Sequence, residues 1–592
     1  NEDANASGDL DIHRSVTITG AGIGTTSVNG NALDRVFHIH PGAIVEISDL
    51  SISGGKTAHG ETPSGNAAPG GGIFNAGHLT LRNSAVVQNT TGRGAGGIFS
   101  NAVGGDGGDG GGIYNLGTLS IIDGSIVDNT AGDGGDPNHY WDYTYLGDGG
   151  SGGSGGGIFN VGTLFLTRTK VLNNSAGDGG AFGSAYKDNS NGGPGGAGGG
   201  VYTSGSLISM DSQISNNTAG DGGVGMGPGG DGGGVFIASA KTWLHENTIN
   251  GNKSGLGGSG LYTFGGYEIG AAGGSAGGVY NAGTLSITDS TVAGNSTGDG
   301  GRGSGQGGLG GGIYNRGNFT LVNTAVSDNT TGNGGIYDES SVADGGQGGD
   351  GGGLYNTGTM LITDSPIDNN MTGSGADGGE PYLSGGNGGS GGGIFNTNRL
   401  TVTYSSVISN TTGAGGVFGG SGGNGGGIFN IGSLTLNYSA LESNSTGLGG
   451  DGDACSNVGQ SSHGGGIYNA GDLDLLGVSV LDNLTGAAGS CEVWTPFVNF
   501  NAVWGSSPSD VFTVGGNGTI LHFNGSSWST LPTGLEYEIE GVWGSSPSDV
   551  FAVGSSGTIL HYDGSSWSLM EGDTNLWLNG VWGSSPSDVF AV

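Results

Sequence analysis

The feature that most restricts this chain is a fixed offset. An apolar residue preceded by glycines recurs at Ile73, Ile113, Ile158, Val201, Val235, Val279, Ile313, Leu354, Ile394, Ile428 and Ile467. In ten of these eleven copies an Asn follows 16 residues later, at Asn89, Asn129, Asn174, Asn217, Asn295, Asn329, Asn370, Asn410, Asn444 and Asn483. Only the copy at Val235 breaks the frame. The distance between anchors runs from 34 to 45 residues, so length variation collects in the glycine-rich stretch after the Asn. Such a unit is too small to bury an apolar side alone, and it must stack on copies of itself, as in a solenoid.

Within one unit the pattern predicts three short strands. The first is Ile-Tyr-Asn, the second an alternating run such as Thr284 to Thr288, and the third a run such as Ser290 to Asn295. Alternation with period two and β-branched content favour strand, and no window carries an apolar face of helical period. Three strands per circuit, joined by tight corners, make a parallel β-helix. Rungs stacked at about 4.8 Å then give a rod on the order of 60 Å long.

Repetition also stacks like on like. The Asn that follows the anchor aromatic recurs at Asn75, Asn115, Asn160, Asn281, Asn315, Asn356, Asn396, Asn430 and Asn469. Stacked amides can hydrogen-bond along the rod and satisfy corner groups that sheet pairing leaves over. Both Asn series therefore read as structural ladders. The aromatic series from Phe74 and Tyr114 to Phe429 and Tyr468 predicts a parallel ring stack.

The string from Gly310 to Asn315, with Phe-Thr-Leu at 319 to 321 and Asn-Thr-Thr-Gly at 329 to 332, resembles the pectate-lyase-like right-handed β-helix repeats of large bacterial surface proteins. It is similar also to the repeats of chlamydial polymorphic outer-membrane proteins. Ser15 to Gly22 and Ala43 to Gly55 resemble the opening turns of the same proteins. The resemblance implies an all-β, right-handed parallel β-helix over residues 15–490, after an N-terminal arm at 1–14. It leaves activity open, because such repeats serve adhesins, stalks and enzymes alike.

Glycine supplies 145 of 592 residues, a composition that suggests disorder until the strict internal frame overrides it. Thirteen basic against 50 acidic residues give a net charge of -37, which argues against nucleic-acid or anionic-membrane partners. No apolar run is long enough to span a bilayer, and Asn1 does not open a signal peptide. The expected setting is extracellular, on a mature secreted chain. Cys455 and Cys491 flank the last unit and are expected to form a disulfide there.

The inserts carry a Gly-Gly-x period, as in 345 to 353 and 419 to 427. That period suits extended three-residue-per-turn chains packed side by side, with a fringe of flexible loops as the alternative. Asp recurs at the insert edges, at Asp133, Asp178, Asp221, Asp299, Asp350 and Asp451. Acidic glycine turns can hold calcium, although the calcium nonapeptide is absent. Aromatics at expected insert tips, Tyr140, Trp141, Tyr143 and Tyr145, with Phe182, Tyr186, Phe264, Tyr267, Tyr337, Tyr382 and Phe418, are candidate contact residues for glycans or protein neighbours. Fifteen Asn-x-Ser/Thr sequons occur, seven on the second Asn series, where the repeat itself generates them. His38 and His40 share a strand face without an evident third metal ligand, and read as surface histidines.

Residues 491–592 change pattern. Val-Trp-Gly-Ser-Ser-Pro-Ser-Asp-Val-Phe starts at Val503, Val542 and Val581, a period of 39. This resembles the repeats of secreted bacterial propeller-like proteins and implies partial propeller-like blades, with the third copy cut off at Val592. No carboxylate pair, nucleophilic triad or phosphate loop is supported, so a non-enzymatic role is expected. The leading expectation is a secreted structural protein of a bacterial cell surface that self-associates, head to tail or laterally, into a fibre, sheath or layer. A glycan-binding adhesin is the alternative, and a polysaccharide lyase or hydrolase a remoter one.

Overall fold

The structure is a computed structural model that describes residues 8–592 except 62, 98–102, 138–146, 183–190, 261–268, 337–342, 380–382, 453–456, 491–499 and 536. Two compact units divide the chain, Asn1–Glu492 and Val493–Val592.

The first unit is a right-handed parallel β-helix. Three sheets of 13 strands each take every third strand in order, so each circuit of the chain adds one strand to every sheet. The register is strict: Ile113 pairs with Ile158, Tyr114 with Phe159 and Asn115 with Asn160, and Leu119 with Leu164 in the next sheet. The first rung begins with Leu10–Ile12, inside the segment expected to be an arm, because that strand pairs with Phe37–Ile39.

Alternation decides what faces in. In Ile313–Asn315 the first and third side chains are buried, in Asn318–Val322 the second and fourth, and in Ala325–Ser327 the middle one. Each rung thus sends Ile313, Phe319, Leu321 and Val326 into one continuous core, each worth about 1.5–3 kcal/mol of transfer free energy. Tight corners follow the second and third strands, with left-handed residues such as Asp123 (φ 54°) and Asp128 (φ 54°), a conformation that Asn, Asp and Gly adopt most readily.

The described arms of the glycine inserts are hydrogen-bonded to one another. Each insert leaves the third corner as an outgoing arm and comes back as a return arm, and the arms form a second layer. Gly132 N–H donates to Gly108 O, Gly153 to Gly132, Gly177 to Gly153, Gly196 to Gly177 and Gly220 to Gly196. A parallel zigzag runs through Gly105, Gly135, Gly150, Gly180, Gly193 and Gly223. A Cβ at Gly132 would lie 1.8 Å from Gly92 O, so the arms approach more closely than any side chain permits. Of the two expectations for the inserts, the packed layer is the one observed among the described residues.

The second unit contains two four-stranded antiparallel sheets, beginning at Phe500–Ser507 and Ile539–Ser546, and a hairpin of Val581–Ser585 with Asp588–Ala591. Successive copies pack through their Trp-Gly pair: a Cβ on Gly544 would meet the Trp504 ring at 2.6 Å, and one on Gly583 the Trp543 ring at 2.6 Å.

Candidate functional site

Except for Asn469 and Asn483 in the last rung, the Asn residues of both series are buried inside the rod. Asn75 Nδ2 donates to Asn115 Oδ1 at 2.7 Å, and Asn115 Nδ2 to Asn160 Oδ1 at 2.7 Å. Thr203 and Ile237 interrupt this ladder, which resumes through Asn281, Asn315, Asn356, Asn396, Asn430 and Asn469. The second series is unbroken. Asn89 bonds Asn129 and the chain of amides continues through Asn174, Asn217, Asn252, Asn295, Asn329, Asn370, Asn410, Asn444 and Asn483. Asn252 is the member that the fixed frame misses. The copy at Val235 has one extra residue before its second strand, Lys241–His245, so its Asn falls one place later and regains the ladder.

From Asn129 to Asn444 each amide of this series is fully used. Asn329 Nδ2 donates to Asn370 Oδ1 and Val292 O, while its Oδ1 accepts from Asn295 N and Nδ2. The hydroxyl two residues on is a relay: Thr331 Oγ1 accepts from Gly373 N–H at 2.8 Å and donates to Gly349 O at 2.5 Å. Asn-x-Thr thus joins rod to glycine layer, and the buried Asn329 is closed to glycan attachment in the folded chain.

Several insert Asp residues serve the same end. Asp133 Oδ1 accepts from Asp178 N, Asp178 Oδ1 from Asp221 N, Asp221 Oδ1 from Leu256 N and Asp299 Oδ1 from Asn333 N. On the return arms Asp109, Asp231 and Asp350 accept from Ser154, Ser275 and Ser390 N–H. Burial pushes these three carboxyls up to about 6 against the backbone hydrogen bond that favours the charged form.

Beside that carboxylate column runs the aromatic column of the first sheet. From Phe74 to Tyr468 its rings stack at 4.4–5.3 Å with interplanar angles of 2–15°. Asp106, Asp109, Ser154, Tyr114, Phe159 and Tyr202 share one groove between the columns. Burial and the neighbouring Asp231 carboxylate push the Tyr280 phenol up to about 12. The groove offers ring faces' edges, hydroxyls and carboxylates in a linear array.

Two exposed tyrosines stand outside the aromatic column. Tyr404 (φ 50°) and Tyr438 (φ 47°) occupy the corner that carries Asp289, Asn323 and Asp364 in preceding rungs, and their rings stack at 5.4 Å. Holding a bulky residue in the left-handed region costs about 1–2 kcal/mol. The signal in the sequence is a Tyr in a position otherwise rich in Asp and Asn.

At the N-terminal rungs the structure corrects the reading of His38 and His40. Asp11 pairs in register with His38, and His13 and His40 lie two residues further along their segments, so all four meet on the outer face. Tyr140, Trp141, Tyr143 and Tyr145 lie outside the described residues, as do Tyr186, Phe264, Tyr267, Tyr337, Tyr382, Cys455 and Cys491. Phe182 is buried, so that tip aromatic turns onto the protein instead of facing solvent.

In the second unit the repeated Asp is a brace. Asp510 accepts from Ser506 Oγ across the hairpin turn and bonds His522 Nε2 at 2.7 Å; Asp549 does the same with Ser545 and His561. The Ser bonds Asp instead of His, so the three residue types do not form a nucleophilic relay.

No family model matches the sequence, and no curated protein matches it. Among solved structures the chain is similar to tailspike protein 3 of bacteriophage CBA120, at 10% identity and a TM-score of 0.25, covering 87% of this chain and 64% of the tailspike. It is similar also to the ORF18 protein of Geobacillus virus E2, at 8% identity and a TM-score of 0.17, covering 94% of this chain and 72% of that one. The chain thus spans 64% of the tailspike's length, and likenesses this slight carry no argument about either fold or activity.

Proposed function

We propose that the chain is a non-enzymatic structural protein of a bacterial surface, a stiff secreted element that self-associates into a fibre, sheath or layer. The observation that carries this reading is the doubled construction of the solenoid. Amide ladders tie the rungs within the rod, glycine zigzags tie them outside it, and Thr hydroxyls join the two. Such a body resists bending and shear while spending its repeated polar groups on its own cohesion. Pectate-lyase-like repeats followed by propeller-like blades are the family reading that accompanies it. Within the first unit the last-rung strands Asp472–Leu476 and Ser479–Leu481 are paired on one side only among the described residues, and such strand edges favour end-on pairing with β structure.

Electron microscopy and sedimentation of the full chain test this. Rods that lengthen with concentration support it; a monomer at every concentration that depolymerises a polysaccharide overturns it. The Tyr404–Tyr438 pair favours one second reading, contact with a glycan through stacked ring faces. Retention on a polysaccharide matrix that Tyr404→Ala and Tyr438→Ala abolish supports that reading, and unchanged retention removes it.

A further inference from the structure

Sequence spacing and sheet register together build a mixed cluster of imidazoles and carboxylates on the first two rungs. In an extended segment residues i and i+2 share a face, so Asp11 with His13, and His38 with His40, project to one side. The pairing of Asp11 with His38 sets one couple over the other. The result is close approach: Asp11 Oδ1 lies 2.8 Å from His40 Nε2 and 3.1 Å from His38 Nδ1. The His40 ring stacks on His13 at 3.8 Å and on His38 at 3.9 Å. Ligand atoms of Asp11, His13 and His40 all lie within 4.8 Å of one another, as do those of Asp9, Asp11 and His38. Arg35 is buried against Asp9 at 2.8 Å, which pairs that carboxylate with a cation, while Asp11 makes the close contacts to His38 and His40.

We propose that Asp11, His13 and His40, with His38 alongside, bind a divalent first-row transition metal ion of the zinc type. Neutral imidazole and carboxylate are the donors such ions take, at about 2.0–2.2 Å, and tetrahedral ligand atoms then stand about 3.3 Å apart. Two of the separations, 2.8 and 3.1 Å, lie just under that figure and the remainder within 4.8 Å, so the stacked rings must turn about their side-chain bonds to bring their nitrogens onto one ion. Calcium, which takes six to eight oxygens, does not fit a set this rich in nitrogen. The stacking of His40 between His13 and His38 gathers three imidazoles beside one carboxylate, a donor set of nitrogen and oxygen. The ion would clamp the first rung to the second at the end of the rod where strands pair on one side only among the described residues.

The test uses the full chain stripped with a chelator. Zinc is titrated by calorimetry and by competition with a chromogenic chelator, and backbone hydrogen exchange of residues 10–19 is followed with and without zinc. Expected are one tight equivalent of zinc and slowed exchange in that segment. His40→Asn and His13→Asn should each weaken binding beyond the ~10–100-fold that loss of a supporting partner produces, while His78→Asn, on an exposed strand residue of a later rung, should change nothing. Asp11→Asn keeps the shape and removes the charged ligand, so it must show the same loss should a histidine variant disturb the rung. Tight binding that survives Asp11→Asn and His40→Asn together, or binding only at millimolar zinc, overturns the proposal and leaves a hydrogen-bonded cluster only.

Discussion

Gly373→Ala separates a packed glycine layer from a fringe of loops by the sign of its effect. Gly373 does not occupy the left-handed region, and at such positions Gly→Ala ordinarily stabilises by about 0.4–1 kcal/mol through the unfolded chain. Here the new Cβ would lie 1.9 Å from Gly332 O and 2.5 Å from Gly332 C, both backbone atoms. Relief requires the arm to shift by about 1 Å or more, given that carbon and oxygen in contact stay beyond roughly 3 Å. That shift breaks the bond from Gly373 N–H to Thr331 Oγ1 at 2.8 Å and the one from Gly389 N–H to Gly373 O at 2.9 Å. Two or three bonds at about 0.5–1.5 kcal/mol each, with buried groups left unsatisfied, predict a loss of about 2–4 kcal/mol. Gly24→Ala is the control, because a Cβ there meets nothing within 4 Å. Since a solenoid opens locally, the assay is hydrogen exchange resolved to residues 371–390 alongside urea unfolding. A Gly373→Ala protein as stable as the Gly24→Ala protein, with unchanged protection in that window, would refute the close-packed layer.

Two further outcomes follow from the same geometry. Asn329→Ala deletes four hydrogen bonds and strands Val292 O and Asn295 N–H in the core, so local opening should become easier by about 3–5 kcal/mol, read by exchange in the rungs on either side. Asp109, Asp231 and Asp350 have carboxyls raised to about 6 in the fold from 3.8, so between those values the folded chain binds more protons than the unfolded one. Their stabilisation is complete below 3.8 and is lost as pH rises through 6. The melting temperature should therefore climb from pH 7.5 to pH 5, and Asp350→Asn should flatten part of the climb; an Asp350→Asn protein with the full climb would assign it to general charge repulsion.

How much of this the sequence disclosed depends on whether a feature is local to the repeat. The ladder of Asn329, Asn370 and Asn410 is visible because one offset generates it, and the ring column because it shares the same frame. Asn252 is hidden by a compensated insertion: an extra residue ahead of Lys241–His245 moves it out of frame, and only the stacking of rungs brings it back. The Asp11–His13–His38–His40 cluster is hidden differently, since its rungs precede the glycine-anchored copies and their mutual register is set by pairing of Leu10–Ile12 with Phe37–Ile39. The role of Thr331 was masked by a sequon, where Asn and hydroxyl look like a glycan signal and act as two separate braces.

The glycine zigzag closes in the same way over inserts of different length. Gly227 N–H closes on Gly223 O just as Gly150 N–H closes on Gly135 O, although residues 224–226 separate one pair and residues 136–149 the other. The zigzag therefore keeps the same closing bond whether three residues or fourteen separate its two arms. The sequence between the two arms can thus differ in length from rung to rung while the hydrogen-bonded spine behind it keeps its pattern, which frees that stretch to diversify.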